Sequence, residues 1–129
     1  MTEPQTHPSI DRSLCGEIVS LAPGVAEVEL RTDARMAADE RGLVHGGFVF
    51  GAADYAAMLA VNDPHVVLGA ASVMFTAPAR VGEAVFVRAE LRSEKGKKRE
   101  VAVVAHVHAT RVFEGTFTCF VLDRHVLDP

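Results

Sequence analysis

The sequence predicts an α+β domain in which one long antiparallel sheet buries a single apolar helix. Three observations carry that expectation. His45-Gly46-Gly47 opens a run that is almost wholly apolar as far as Asn62, with Asp54 its only charge and Tyr55 its other polar group. A helix that is apolar all round is a buried helix. Segments of strand character flank it, two before and at least four after, and 129 residues suit one domain with one core.

In chain order, residues 1–12 read as a flexible leader and 13–129 as a single domain. Leu14 to Leu21 and Val25 to Arg31 are expected as strands joined at Ala22-Pro23-Gly24, where proline then glycine suits a type II turn. In the second strand Ala26, Val28 and Leu30 alternate with Glu27, Glu29 and Arg31, the pattern of a half-buried antiparallel strand. Thr32 to Val44 is a mixed, partly charged connection into the helix. Alanines 52, 53, 56, 57 and 60, with Gly51, keep the helix thin enough for a sheet to close round it. Asn62-Asp63-Pro64 ends it, because proline and the residue before it resist α geometry.

Beyond the helix, His65 to Thr76 is strongly apolar and is expected as a central strand. Glu83 to Arg92 sets Val85, Val87, Ala89 and Leu91 on one face, and Lys95-Gly96-Lys97-Lys98 makes a turn. Arg99 to His108 and Val112 to Leu122 close the sheet. Phe113, Phe117, Cys119 and Val121 share a face of the last strand, and Gly115 reads as a bulge. A sheet wrapped about one helix is the hotdog arrangement.

Composition excludes several classes. A net charge of −4 gives no reason to expect nucleic acid or an anionic membrane as partner. The polar start, with Pro4 and Pro8, has no apolar core flanked by basic residues, so a secretory signal is not expected. The central run, broken by Asp54, is too short for a membrane span. Cys15 and Cys119 lack CxxC spacing and read as reduced core residues of a cytoplasmic protein. His106 and His108 sit at i, i+2 on one strand without a third ligand at suitable spacing, so no metal site is expected.

Asp54 needs a reason, since an ionised carboxylate in an apolar helix is costly unless paired. Burial should raise its pKa, and helix-terminal amides would lower it. A buried carboxylate can act as a nucleophile or as a general base toward water. Gly46 and Gly47 stand where the helix begins, and its first N–H groups, unpaired and at the positive end of the dipole, can hold a developing oxyanion. Gly46 and Asp54 are eight positions apart, about 12 Å along a helix axis. One carbonyl carbon cannot touch both, but two antiparallel helices related by a twofold axis could bring one chain's Gly46 to the other's Asp54. The spacing therefore predicts a composite site in an obligate homodimer.

At this point Gly42-Leu43-Val44-His45-Gly46-Gly47, with Asp54 seven residues after the second glycine, resembles the signature of PaaI-type hotdog acyl-CoA thioesterases. Ala22-Pro23-Gly24 and Phe75-Thr76-Ala77-Pro78 with Gly82 also fit, so the resemblance spans about residues 14–122. It implies hydrolysis of an acyl-CoA thioester to free acid and CoA at a dimer interface. Asp54 is then the catalytic carboxylate and Gly46 and Gly47 the oxyanion donors. His45 orients the loop, and Ser72 falls where family members place a Ser or Thr near the nucleophile or water. No separate cofactor is implied, since coenzyme A is part of the substrate.

The sequence departs from that pattern at Asp39, where PaaI-type enzymes carry Asn. Asp39-Glu40-Arg41-Gly42-Leu43-Val44 resembles instead the catalytic loop of 4-hydroxybenzoyl-CoA thioesterases of another clade. If Asp39 and Asp54 converge, like charge would raise one pKa and divide acid and base roles. Pocket shape is expected to depend on Phe48, Phe50, Tyr55 and Met58. Arg92, Lys95, Lys97, Lys98 and Arg99, with Arg80, are candidates for the CoA phosphates.

The expected protein is thus a homodimer, or a dimer of dimers forming a tetramer. The alternative is a non-catalytic acyl-CoA-binding hotdog protein. FapR-type acyl-CoA-sensing repressors also carry a DNA-binding domain, for which the short stretch before Leu14 is not expected to leave room.

Overall fold

The computed structural model describes residues 2–129. The chain runs α1 (Arg12–Cys15), β1 (Glu17–Ala22), β2 (Val25–Arg31), a 3-10 turn (Ala34–Met36), α2 (Gly46–Val61), β3 (Val66–Phe75), β4 (Ala84–Lys95), β5 (Lys98–Val107) and β6 (Thr110–Val121). The six strands form one antiparallel sheet in the order β1-β2-β4-β5-β6-β3. Its concave side wraps α2, which is the hotdog fold.

Side-chain size explains how the sheet closes. Ala52, Ala53, Ala56, Ala57 and Ala60 are all buried, and the sheet meets them with Val28, Leu30, Val85, Val87, Ala89, Val101, Val103 and Ala105. Small residues on both sides let backbone approach backbone, as close packing of interiors requires. Farther along, Phe50 lies against Phe117 at 5.4 Å between ring centroids, and Phe113 and Phe117 fill the end of the core beneath β3 and β6.

The turns follow their residues. Pro23-Gly24 links β1 to β2 with Gly24 at φ 78°, and Gly96, at φ 60°, turns β4 into β5. Asn62 ends α2 in the left-handed region at φ 54°, its N–H donating to the Met58 carbonyl at 2.8 Å. The Asn62 side chain also reads the first residues of the chain as a strand partner would. Its Oδ1 accepts from Gln5 N at 2.7 Å and its Nδ2 donates to Glu3 O at 3.0 Å. Thr6 is buried, and the His7 ring lies 6.2 Å from that of Tyr55.

Four expectations change. Leu14 to Leu21 is not one strand: Asp11 caps the short α1 through Ser13 N at 2.9 Å, and β1 begins only at Glu17. His65 to Thr76 yields an edge strand, because β3 pairs with β6 alone; Met74 is 62% and Phe75 54% exposed. Gly115 is not a bulge, since it pairs regularly with Val73 and Val103. The irregularity falls at Val112, between the Ala105–Phe113 and His106–Arg111 pairs, so that Val112 and Phe113 are both buried. Gly115 instead permits close approach, for a Cβ there would stand 2.6 Å from the Ser72 carbonyl oxygen. Lastly, His108 lies in the turn after β5 at φ 50° and does not share a strand with His106.

Candidate active site

Helix α2 buries most of its circumference, but Gly47, Phe50, Gly51 and Asp54 lie on a stripe the sheet does not fully cover. A Cβ on Gly51 would meet no atom within 4 Å. Asp54 is half-buried there, and its Oδ1 is buried without a hydrogen-bond partner. Burial pushes its pKa up from 3.8 to about 6. Asp39 adds nothing to that shift, and the helix-terminal amides do not offset it. Burial also pushes the Cys119 thiol up to about 12, with the nearby Asp54 charge adding to the effect. That sulfur is not a nucleophile at neutral pH.

The start of α2 leaves its first amides available. His45 occupies the N-cap position with extended backbone, φ −63° and ψ 128°, but makes no side-chain capping bond. Its N–H donates to the Met36 carbonyl at 2.8 Å, and its exposed ring stands edge-on to Phe48 at 6.2 Å. Gly46 lines a cavity of about 430 Å³ with Leu43, Val44, Val49, Phe75 and Val112. A Cβ on Gly46 would lie 3.1 Å from the Phe75 ring, so glycine keeps the passage open beside the helix start. Asp54 does not line this cavity. Within one chain the first amides of α2 and the Asp54 carboxylate stand apart.

A second hollow of about 200 Å³ adjoins the first, sharing Leu43 and Pro78, and is bounded by Asp39, Arg41 and Arg80. The Asp39 carboxylate is engaged in its own loop: Oδ1 accepts from Arg41 N at 2.9 Å and Leu43 N at 3.2 Å. This Asx turn leaves it exposed, and the fold does not bring it to Asp54 in the protomer.

Other candidates separate. Ser72 pairs with Thr116, next to Ala71–Phe117, and Phe117 faces α2. With side chains alternating along a strand, Ser72 points to the face away from the helix. Tyr55 is buried between α2 and the leading segment, where the Arg12 side chain approaches its hydroxyl without meeting hydrogen-bond geometry. Phe48 is half-buried next to the helix start.

Four of the five hairpin cations are matched by carboxylates, and Lys95 has none within 4 Å among the described residues. Lys97 pairs with Asp123 at 3.1 Å, Lys98 with Glu100 at 3.3 Å, Arg99 with Glu94 at 3.6 Å and Arg92 with Glu90 at 3.3 Å. Arg41 and Arg80 have no carboxylate within 4 Å among the described residues. Arg41 was missed by the sequence reading although it stands beside Asp39. A lone arginine in a loop has no periodicity, and only the fold places it opposite Arg80.

A sheet wrapped round one helix, with a carboxylate in that helix and glycines at its start, defines the chain as a hotdog-fold protein of the PaaI-like kind. No family model matches it. Its structure superposes on PH1136 from Pyrococcus horikoshii with a TM-score of 0.97, at 50% identity over 98% of both chains. Cj0977, a sigma28-regulated virulence protein from Campylobacter jejuni, superposes at 0.94 with 33% identity, over 98% of this chain and 89% of that one. A mutant of the phenylacetic acid degradation protein PaaI from Thermus thermophilus superposes at 0.78 with 28% identity, over 86% and 96%. At these identities the chain belongs to one family with PH1136 and Cj0977, and it shares its fold with PaaI. More distant chains share the fold alone, among them a hypothetical thioesterase from Streptococcus pneumoniae solved with coenzyme A, at 19% identity and a TM-score of 0.76, over 84% and 87%.

In sequence, the methylthioribose-1-phosphate isomerase of Aquifex aeolicus is 49% identical over 120 residues, which is 92% of this chain and 26% of that protein. The transcription factor FapR of Shouchella clausii is 33% identical over 82 residues, 64% of this chain and 43% of FapR. The chain thus spans less than half the length of these curated relatives.

Proposed function

We propose that the protein hydrolyses an acyl-CoA thioester at a site shared between two copies of the chain. The observation that carries this is Asp54: a carboxylate without a hydrogen-bond partner for Oδ1, on the uncovered stripe of α2, with its pKa raised to about 6. A structural aspartate would be expected to hold a donor. This one is poised to give a nucleophile or base that is ionised at neutral pH and still basic enough to take a proton from water.

The acyl group would lie in the apolar cavity next to Gly46, with the thioester oxygen at the first amides of α2. Asp54 of a second copy would reach the carbonyl carbon, since the same chain's Asp54 does not line that cavity. Two features favour that assembly. β3 is an unpaired edge with exposed Met74 and Phe75, and such an edge invites pairing with another chain. The stripe holding Gly47, Gly51 and Asp54 has room for a neighbouring helix.

The reaction adds water across the C–S bond. By the base route Asp54 takes a proton from water as the water oxygen bonds to the acyl carbon, the C–S bond breaks and the proton passes to the leaving sulfur. By the nucleophile route Asp54 displaces the thiolate, which takes a proton from solvent, and water then splits the acyl anhydride to the acid and the free carboxylate. A binding-only reading is favoured by one observation, the 33% identity to FapR, a transcription factor.

A panel of acyl-CoAs assayed for free thiol, with Asp54→Asn and Asp39→Asn beside wild type, tests the proposal. Turnover lost in Asp54→Asn and kept in Asp39→Asn is expected. Binding of several acyl-CoAs without turnover of any would favour the binder.

A further inference from the structure

We propose that Arg41 and Arg80 form an anion-binding mouth on the Gly46 cavity, and that this pair holds the phosphates of the nucleotide on which the acyl group arrives. The identity of that ligand rests on the acyl-CoA reading above.

The mouth is built by two loops bonded to one another. Val81 N donates to Gly42 O at 2.8 Å and Val44 N to Ala79 O at 2.9 Å, while Leu43 and Arg80 form an isolated bridge. Each loop has its own brace. The Asp39 carboxylate closes the turn carrying Arg41, with Gly42 at φ 81° as its pivot. Buried Thr32 holds the other loop: its hydroxyl accepts from Gly82 N at 3.1 Å and lies 2.6 Å from Glu83 O and 3.0 Å from Arg80 O. The two backbones that present the guanidinium groups are therefore fixed, which lowers the ordering cost of binding.

Charge favours an anion there. Both guanidinium groups lack a carboxylate partner among the described residues, whereas four of the five hairpin cations, all but Lys95, are matched. The acidic neighbours are partly spent. Asp39 accepts two backbone N–H groups, and Glu83 accepts from Arg80 N at 2.6 Å. Arginine pairs bidentately with phosphate. The hollow adjoins the apolar cavity through Leu43 and Pro78, so one ligand can occupy both with its charged end outward. Asp39 then acts as a positioning residue that shapes the Arg41 turn.

Calorimetric binding of adenosine 3′,5′-bisphosphate tests the mouth without any reaction. Arg41→Ala and Arg80→Ala should each weaken it about 10- to 100-fold. The residual affinity should also depend less on salt. Asp39→Ala should weaken binding as well, while Asp39→Asn, which keeps an oxygen acceptor, should retain it. In turnover, the preference for an acyl-CoA over the same acyl group on N-acetylcysteamine should fall by the same factor in the arginine variants. Bisphosphate binding that survives both arginine changes, or that is lost instead in Lys97→Ala/Lys98→Ala, overturns the mouth even if thioesters are hydrolysed. Binding lost with the arginines in a chain that cleaves no thioester upholds the mouth and overturns the hydrolase.

Discussion

Gly51 and Asp54 lie one turn apart on the open stripe of α2, one with no atom within 4 Å of its would-be Cβ, the other with a buried carboxylate oxygen that has no partner. Empty space beside an unsatisfied carboxylate is poor packing for an isolated fold, and it is what the proposed seam with a second helix would need.

Asp54→Asn should abolish turnover while stabilising the protein. The sign follows from the raised pKa, about 6 in the folded state against 3.8. Below about pH 4 the group is protonated in both states. Between 4 and 6 the unfolded chain gives up its proton first, so stability falls as pH rises, by about 3 kcal/mol at most once past pH 6. Asparagine removes that loss, and thermal melts at pH 7.5 should show a gain of about 1–3 kcal/mol. Thiol release should drop at least about 100-fold. A destabilised Asp54→Asn would mean that the carboxylate is structural.

The pH profile of the wild type should follow the same group. Turnover needs ionised Asp54, so kcat/KM should rise about tenfold per pH unit below 6 and level off above it. A midpoint near 4 would point to an exposed carboxylate and away from Asp54.

Two substitutions at Gly51 should part company. Gly51→Ala has room and should stabilise α2 by about 0.5–1 kcal/mol, with the dimer intact. Gly51→Leu has the same open space at Cβ, but its longer side chain would reach into the proposed seam. Analytical ultracentrifugation should show it dissociating more readily than wild type, with loss of thiol release at low protein concentration.

The β3 edge gives an independent test of assembly. Ala71→Lys/Met74→Lys places like charges on an exposed strand that would face its own copy, and lysine is what natural edges use to refuse pairing. Sedimentation should report a monomer, folded by circular dichroism and inactive. A fully active monomer would sink the composite site.

Asn62→Gly should release the leading segment without disturbing the helix end, because glycine keeps the left-handed conformation while both side-chain bonds to Glu3 and Gln5 are lost. The cost should be about 1–2 kcal/mol, with faster proteolysis within residues 2–10.

Much of the molecule was legible from residue pattern alone. Val85, Val87 and Ala89 declare a buried strand face by their alternation. The alanines of α2 declare a helix that a sheet must approach closely, and Asp54 declares itself by its charge. Local chemistry is enough where one element's own residues decide its state. Pairing partners are another matter. The apolar run from Val66 to Phe75 reads as a central strand, yet it lies at the edge, since hydrophobicity does not report which strands pair with it. Gly115 looked like a bulge, but its reason is the backbone of Ser72 beside it. Ser72 itself carried a familiar position in the sequence and points away from α2, because a strand's register alone chooses its face. Arg41 and Arg80 are 39 positions apart and carry no shared pattern; Val81 N on Gly42 O is what sets them across one hollow. Sequence alone determined the buried faces of α2, β2 and β4 and which carboxylate would stand in an apolar helix. Which groups face one another was decided by the long-range backbone pairing of the tertiary fold, whose geometry no short window of residues contains.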